Sequence, residues 1–446
     1  MSAAASLSVL RIPMQRAFGH AQATRNVTEN VILELDIDGV AGLGECVPRQ
    51  YVTGETTASV CQAITDRLDV DLLANCVAGS SFETCVRNVE RLDLPRRLGA
   101  AQRPMPAAAC AVELAILDVL GRRFDRPLFD IPGALGLPAS LVRPKAERRF
   151  YQVSRVIDFT APLPDRSAGF GSTHHAKLKV GQSFAQDVDR VRQVRDVLGP
   201  DVSISVDANM AWSMDEAVSM AEQLRSSAVD WYEEPLRDNC IDQLLLFRDL
   251  TGAAVMLDEA FSSIDDANRA VDGGACDLLN IRLSKCGGFL PSLRLAEFCV
   301  ANDIRFQIGV QVGEAGPLWA AGRHFVSAVR GAVAYEAGQG DRLFDEPLIV
   351  PQPRIDLATY LAEPLPGPGL GVSIVREVLS RHAIRRYELG HGHSAWLPVG
   401  TRASEVSDEV PSSTSTSTGR RTYSQSRGHI DREKNVPTIE RRGLCL

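Results

Sequence analysis

Residues 28 to 46, TENVILELDIDGVAGLGEC, alternate apolar and polar positions in two runs separated by an Asp-Gly pair. Strand side chains alternate faces and Asp-Gly suits a tight turn, so the stretch predicts a β-hairpin. Residues 105 to 123, MPAAACAVELAILDVLGRR, carry Ala, Val, Leu and Ile at helical spacing and end near Gly121, which predicts a helix. Strands followed by helices make residues 1–135 an α+β unit.

From about residue 150 the rhythm changes. Short β-branched runs recur as FYQVSRVI, AKLKV, VSISVD, AVDWYEE, AAVMLDE, CDLLNIRLS, IRFQIG and AVAYE, with helix-like stretches between most of them. That alternation predicts parallel strands joined by crossover helices, each strand buried on both faces. Eight such strands within about 190 residues point to a closed (β/α)8-type barrel rather than an open sheet. The first link, IDFTAPLPDRSAGFGSTHH, holds two prolines and two glycines, so its helix is expected to be short or absent, a modified (βα)7β arrangement. The expected organisation is an α/β chain with a cap over 1–135, a barrel over 145–350, a segment over 351–395 and a tail over 396–446. That tail, with SSTSTSTGRRTYSQSRG, is too polar and repetitive to bury a core and is expected to be disordered. His391 and His393, at its start, are candidate ligands by residue type, but a solvated junction is the expected reading.

The strand in HHAKLKVG, residues 174 to 181, breaks the apolar pattern. Lys177 and Lys179 lie two apart and share a face. Like charges so placed repel, and lysine is almost never buried unless paired. A solvated edge strand is the plain explanation unless other residues supply a reason for the pair.

Carboxylates supply it. Asp207 ends VSISVD, Glu233 ends VDWYE, Asp258 ends AVMLD, and Lys285 follows NIRLS. Starting from Lys179, the intervals are 28, 26, 25 and 27 residues, each about one strand-helix repeat. In a barrel this places all five at the C-terminal ends of successive strands, where catalytic groups gather. One acidic strand end is usually a helix cap, but three in consecutive repeats flanked by lysines are harder to assign so. Three converging carboxylates repel unless a cation sits among them. An all-oxygen set suits Mg²⁺, with Mn²⁺ next, and not zinc. A divalent ion opposite two lysines makes a site for a substrate carboxylate, where a proton can leave the adjacent carbon and an enediolate is stabilised. Lysine's usual pKa, about 10.4, is high for a base. A neighbouring ammonium lowers such a value, the expected role of Lys177 beside Lys179.

Composition narrows the class. The chain has 446 residues, 45% hydrophobic and 23% charged, with a net charge of -8, which suits a soluble globular protein and not a nucleic-acid partner. No apolar run approaches the roughly 20 residues of a membrane helix, and the N-terminus does not read as a secretory signal. Ten scattered cysteines without a CxxC pair fit reduced thiols and a cytoplasmic location.

The stretches AKLKVG, SVDANMAW, DWYEEPL, MLDEAF and NIRLSKCGG together resemble the enolase superfamily, in its muconate-lactonizing (mandelate racemase/muconate cycloisomerase-like) subgroup. GLGECVPRQYVTGET resembles that family's capping-domain loop and EPLPGPGLGV its closing segment, so the resemblance spans about residues 8 to 380. It implies an isomerase with a small-molecule carboxylate substrate and a homo-oligomeric assembly. It implies Lys179 as the base on one face, Lys285 as acid or base on the other, and Asp207, Glu233 and Asp258 as metal ligands. Glu234 falls where the family varies. Asn209, Glu259 and Glu314 fall where polar groups orient ligands or lysine, although a plain loop hydrogen bond would serve there as well. Arg49, and more weakly Arg25, would clamp a distal carboxylate or stack on a ring. Gly287 and Gly288 allow close backbone approach, and Cys286 packs.

Family membership implies a half-reaction and not a substrate. The dipeptide epimerases of the family carry a DxD after the eighth strand, and AVAYEAGQGDRLFDEP has none, leaving Glu336 or Asp341 as substitutes. With a lysine on each face, racemisation or epimerisation of an amino-acid derivative is the favoured expectation. Muconate-type cycloisomerisation and succinylbenzoate-forming elimination are the alternatives, and a catalytically silent binding scaffold is the alternative of another class.

Overall fold

The structure, a computed structural model, describes residues 2–99, 103–163, 173–338, 340–393 and 395–400. Three strands open the chain: β1 (Ala3–His20), β2 (Ala23–Ile37) and β3 (Val40–Cys46). The hairpin expected from alternation is β2–β3, with Ile37 opposite Val40 and Asp38 and Gly39 both at positive φ, 52° and 81°. Such a turn matches the twist of its strands. The expected helix is α1 (Pro106–Arg123), almost wholly buried; it lies inside the protein because it is apolar on every side.

Eight parallel strands follow: β4 (Arg155–Ile157), β5 (His175–Lys179), β6 (Ser203–Asp207), β7 (Trp231–Glu233), β8 (Val255–Leu257), β9 (Leu278–Ile281), β10 (Arg305–Ile308) and β11 (Ala332–Tyr335). They pair in sequence order. The two ends of the sheet meet where Ser154 N donates to Tyr335 O (2.7 Å). Crossover helices include α2 (Phe184–Leu198), α3 (Met214–Gln223), α4 (Ile241–Thr251), α5 (Ile264–Asp272), α6 (Phe289–Ala301) and α7 (Pro317–Ala328). Part of the link between β4 and β5, where a missing helix was expected, lies outside the described residues.

The chain then returns to the first sheet through β12 (Ala383–Leu389), antiparallel to β1. Of the tail expected to be disordered from about residue 396, Leu397–Val399 instead forms an edge strand on β12, with Arg386 opposite Val399. The ladder satisfies that backbone without a core, which composition does not register. Residues 401–446 lie outside the described residues. No helix among the described residues is long and apolar enough to cross a membrane.

The N-terminal sheet sits over the mouth formed by the strand C-termini. Arg16 Nη1 reaches Asp158 Oδ2 (2.7 Å) just past β4, and Gln22 Nε2 donates to Asn209 O (2.7 Å) just past β6.

Candidate active site

Lys177 and Lys179 are buried, 2% and 8% exposed, because β5 lies inside the barrel and not at an edge. Burying two ammonium groups requires partners. Lys177 Nζ lies 2.7 Å from Glu233 Oε2, 2.6 Å from Glu336 Oε1 and 3.1 Å from Asp207 Oδ2. Burial disfavours its charge, but Glu233, Glu336 and Asp207 outweigh burial and raise its pKa above lysine's ordinary value. Lys179 pairs with Asp207 Oδ2 and donates to Asn209 Oδ1 (3.1 Å). Lys177, expected beside Lys179 as a bare neighbouring ammonium, shares Asp207 Oδ2 with it. A carboxylate stands between them, and the charge of Lys177 is already met by three acids.

Lys285 comes from the turn after β9 and is 1% exposed. Its Nζ donates to Asp258 O (2.7 Å), Asp258 Oδ1 (3.0 Å) and Asn280 O (2.9 Å), and lies 3.6 Å from the centre of the Phe261 ring. Burial, aided by nearby Arg282, brings its pKa down to about 8. β5 and β9 stand four strands apart in the ring of eight.

The three strand-end carboxylates occupy the expected places. Asp207 is held well below the usual carboxylate range: burial opposes this, but Lys179 and Lys177 prevail. Glu233 rises to about 7 through burial and then through the like charge of Asp207, while Asn280 Nδ2 donates to its Oε1 (2.8 Å). Asp258 pairs with Arg282 and Lys285. Among the described residues no three acidic, histidine or cysteine side chains are already gathered as a ligand set; these acids turn to cationic side chains instead. The donor set nevertheless suits a divalent cation. Among the described residues five buried acids, Asp207, Glu233, Glu234, Asp258 and Glu336, and Glu259, whose side chain is 2% exposed, share the mouth with four buried cations, Lys177, Lys179, Arg282 and Lys285. Burial raises Glu234 to about 7 and Glu259 to about 8, as expected where cations are too few to hold every acid ionised.

The supporting residues divide. Asn209 Nδ2 donates to Glu259 Oε1 (3.1 Å) and Asn209 N to Asp207 Oδ1 (3.0 Å), so Asn209 joins Lys179, Asp207 and Glu259. Glu234 accepts from Asp258 N (2.6 Å) and Ala260 N (2.7 Å), pinning the turn that presents Asp258. Glu314 sits one step back, accepting from Gln311 N (2.6 Å). Arg49 departs from expectation: its guanidinium donates to Pro48 O (3.0 Å) and Val312 O (2.7 Å), bracing the cap against the loop after β10. Arg25 lies over the Tyr51 ring (5.8 Å) in a separate cavity of about 570 Å³ shared with Arg11, Glu29 and Arg49. Tyr51 lines both that cavity and the mouth, where Phe18 and His20 join it.

Arg282 was not singled out from the sequence. It bonds Asp258 Oδ1 (2.7 Å) and Gln311 Oε1 (3.0 Å) from inside the mouth. Its position one residue past β9 was the available signal. Glu336, considered only as a substitute for the absent DxD, is fastened to Lys177, Gln307 Nε2 (3.1 Å) and Val310 N (3.1 Å).

Comparisons with known proteins bear on this arrangement. An N-succinyl-L-Arg/Lys racemase of Bacillus cereus is 25% identical over 389 residues, covering 84% of this chain and 95% of the racemase. Its crystal structure superposes with a TM-score of 0.73 at 24% identity, covering 87% and 100% of the two chains. A hydrophobic dipeptide epimerase of Enterococcus faecalis is 25% identical over 318 residues, 68% of this chain and 80% of the epimerase. A dipeptide epimerase of Cytophaga hutchinsonii, solved with Mg and D-Ala-L-Val, gives a TM-score of 0.72 at 21% identity, covering 87% and 100%. Residues 4–133 match the mandelate racemase / muconate lactonizing enzyme N-terminal domain, and 166–378 match the enolase C-terminal domain-like family. With both domains present in that order around this barrel mouth, the chain belongs to the enolase superfamily.

Proposed function

We propose that the chain is a Mg²⁺-dependent racemase or epimerase acting on the carbon next to the carboxylate of an N-acylated amino acid. The observation that carries the reading is the pair of buried lysines, Lys179 and Lys285, four strands apart around one mouth. Mg²⁺, held by Asp207, Glu233 and Asp258, would neutralise charge on the substrate carboxylate as the enediolate forms. One lysine, in its amine form, takes the α-proton from its face and becomes an ammonium. The opposite lysine, as an ammonium, returns a proton to the other face, so no net proton is gained or lost. Asn209 orients Lys179, and Glu234 holds the backbone that presents Asp258. Arg282 and Lys177 balance the acids.

An N-acyl group is favoured over a free dipeptide amine because Glu336, the acid nearest in position to the missing DxD, is already committed to Lys177. The racemase relative, named for N-succinyl substrates, covers most of both chains. Arg25, whose Nε has no hydrogen-bond partner among the described residues, is a guanidinium placed to meet a distal anionic group beside Tyr51, with Arg11 in the same cavity.

The test is a panel of N-acyl amino acids, dipeptides, muconates and succinylbenzoate precursors in D₂O with Mg²⁺. Deuterium at the α-carbon with interconversion of enantiomers is expected for the N-acyl amino acids. Conversion to a lactone or an elimination product would replace this reading. Absence of Mg²⁺ binding at millimolar metal would favour a silent scaffold.

A further inference from the structure

Lys285 does not stand on its strand. It lies in a four-residue helical turn, Leu283–Cys286, which closes through Gly287 and Gly288 at φ 93° and 126°. Besides the barrel groups that Lys285 itself bonds, Asp258 and Asn280, two cap groups brace this turn. On its near side Val47 N, in the loop after β3, donates to Ser284 Oγ (3.2 Å). On its far side the carboxylate of Glu113, in the middle of α1, accepts from Phe289 N and from Leu290 N (3.2 Å). These are the first two residues of α6, whose end groups would otherwise lack partners. Gly288 makes the approach possible, since a β-carbon there would run into the Glu113 carboxylate. Cys286, Leu290 and Pro291 border a cavity of about 560 Å³ that Glu113 and Pro106 also line.

Lys179 is held differently. Its strand is paired on both sides, to β4 and β6, and its partners Asp207 and Asn209 belong to the barrel. The backbone that carries Lys179 is thus fixed by the barrel ladder, whereas the turn that carries Lys285 is braced by the cap, the Lys285 amine itself bonding Asp258 and Asn280 of the barrel.

We propose that Glu113 and Ser284 are positioning residues for Lys285, through which the docked cap sets the geometry of proton transfer on one face of the substrate only. The inference rests on the two-lysine reading above. Neither residue touches substrate; each acts through the turn. Misplacing a reacting group by about 1 Å costs on the order of 100-fold in rate.

The experiment uses the full chain with Mg²⁺ and both enantiomers of N-succinyl-lysine in D₂O, following α-proton exchange by NMR. The Lys285→Ala variant identifies which enantiomer Lys285 serves. Glu113→Ala and Ser284→Ala should slow exchange of that enantiomer by about 10- to 100-fold and leave the other within about 2-fold. Glu113→Gln, which keeps an acceptor oxygen, should restore the rate. Equal slowing of both enantiomers, or none, overturns the inference while the two-lysine reaction stands. If wild type exchanges neither enantiomer, the test passes to backbone amide exchange by mass spectrometry, and failure across the whole substrate panel overturns the proposed function itself. Faster amide exchange confined to residues 283–290 in Glu113→Ala or Ser284→Ala, with 175–179 unchanged, supports the cap-held turn. Unchanged or uniformly faster exchange overturns it. If Glu113→Ala does not fold, Ser284→Ala decides on the same criteria.

Discussion

Lys177 and Lys179 both reach the same oxygen of Asp207, Oδ2, so two buried ammonium groups are joined through one carboxylate rather than set against each other. Lys177 also meets Glu233 and Glu336, which makes it the neutralising centre of three acids. Replacing Lys177 with Met should therefore destabilise the fold by about 3–5 kcal/mol, the usual cost of stripping a partner from buried charges. Denaturant unfolding at neutral pH measures it, and adding Glu336→Gln should recover part of the loss. A cost below about 1 kcal/mol would mean that the acids find other partners.

Metal dependence is the expected consequence of the excess of acids over cations in the mouth. Chelation should abolish turnover and Mg²⁺ should restore it. Asp207→Asn and Asp258→Asn should lower Mg²⁺ affinity by at least about 10-fold, with circular dichroism unchanged. Full activity in excess chelator would remove the metal from the mechanism.

The two lysines should separate by enantiomer. Lys179→Ala and Lys285→Ala should each lose interconversion, with exchange slowed about 10²- to 10⁴-fold on one enantiomer and retained on the other. Full turnover of both enantiomers by Lys285→Ala would require a one-base reaction. Loss of all exchange in both variants would make Lys285 an electrostatic partner of the intermediate.

Burial raises the Glu113 carboxyl to about 8, against the weaker pull of its backbone donors. Below the unfolded value both states hold the proton, so stability is unaffected. Between about pH 4.5 and 8 the unfolded chain ionises first, so this residue's contribution falls as pH rises and levels off above about 8. Glu113→Gln should therefore gain stability relative to wild type through that window, by a few kcal/mol at most (about 1.4 per pH unit). Melting curves across the window measure the difference. A gap that stays constant with pH would show that Glu113 is ionised throughout.

The site was legible in part, for definable reasons. A repeat length of 25 to 28 residues is a local property of the chain, so Asp207, Glu233, Asp258 and the lysines could be placed at one mouth from spacing alone. The Asp38–Gly39 hairpin carries its own backbone requirement. Partner choice does not repeat. Lys177 meets Glu336, 159 residues away, through closure of the barrel. Arg49 looked free on a cap loop because its acceptor, Val312 O, is a backbone atom that no side-chain pattern marks. Arg282 has no mark of its own in NIRLSKCGG, because its acceptors, Asp258 and Gln311, come from other repeats of the barrel.

Glu45 of β3 accepts hydrogen bonds from Ala315, Gly316 and Leu318 N, each at 2.9 Å, at the start of α7, as Glu113 does for α6. Two consecutive barrel helices thus begin on carboxylates lent by the other domain. The barrel is consequently no interchangeable module. Grafting its loops onto another cap, or another cap onto it, would expose two helix starts unless acids at these two positions travelled with the graft, so engineers and natural recombination alike must inherit cap and barrel together.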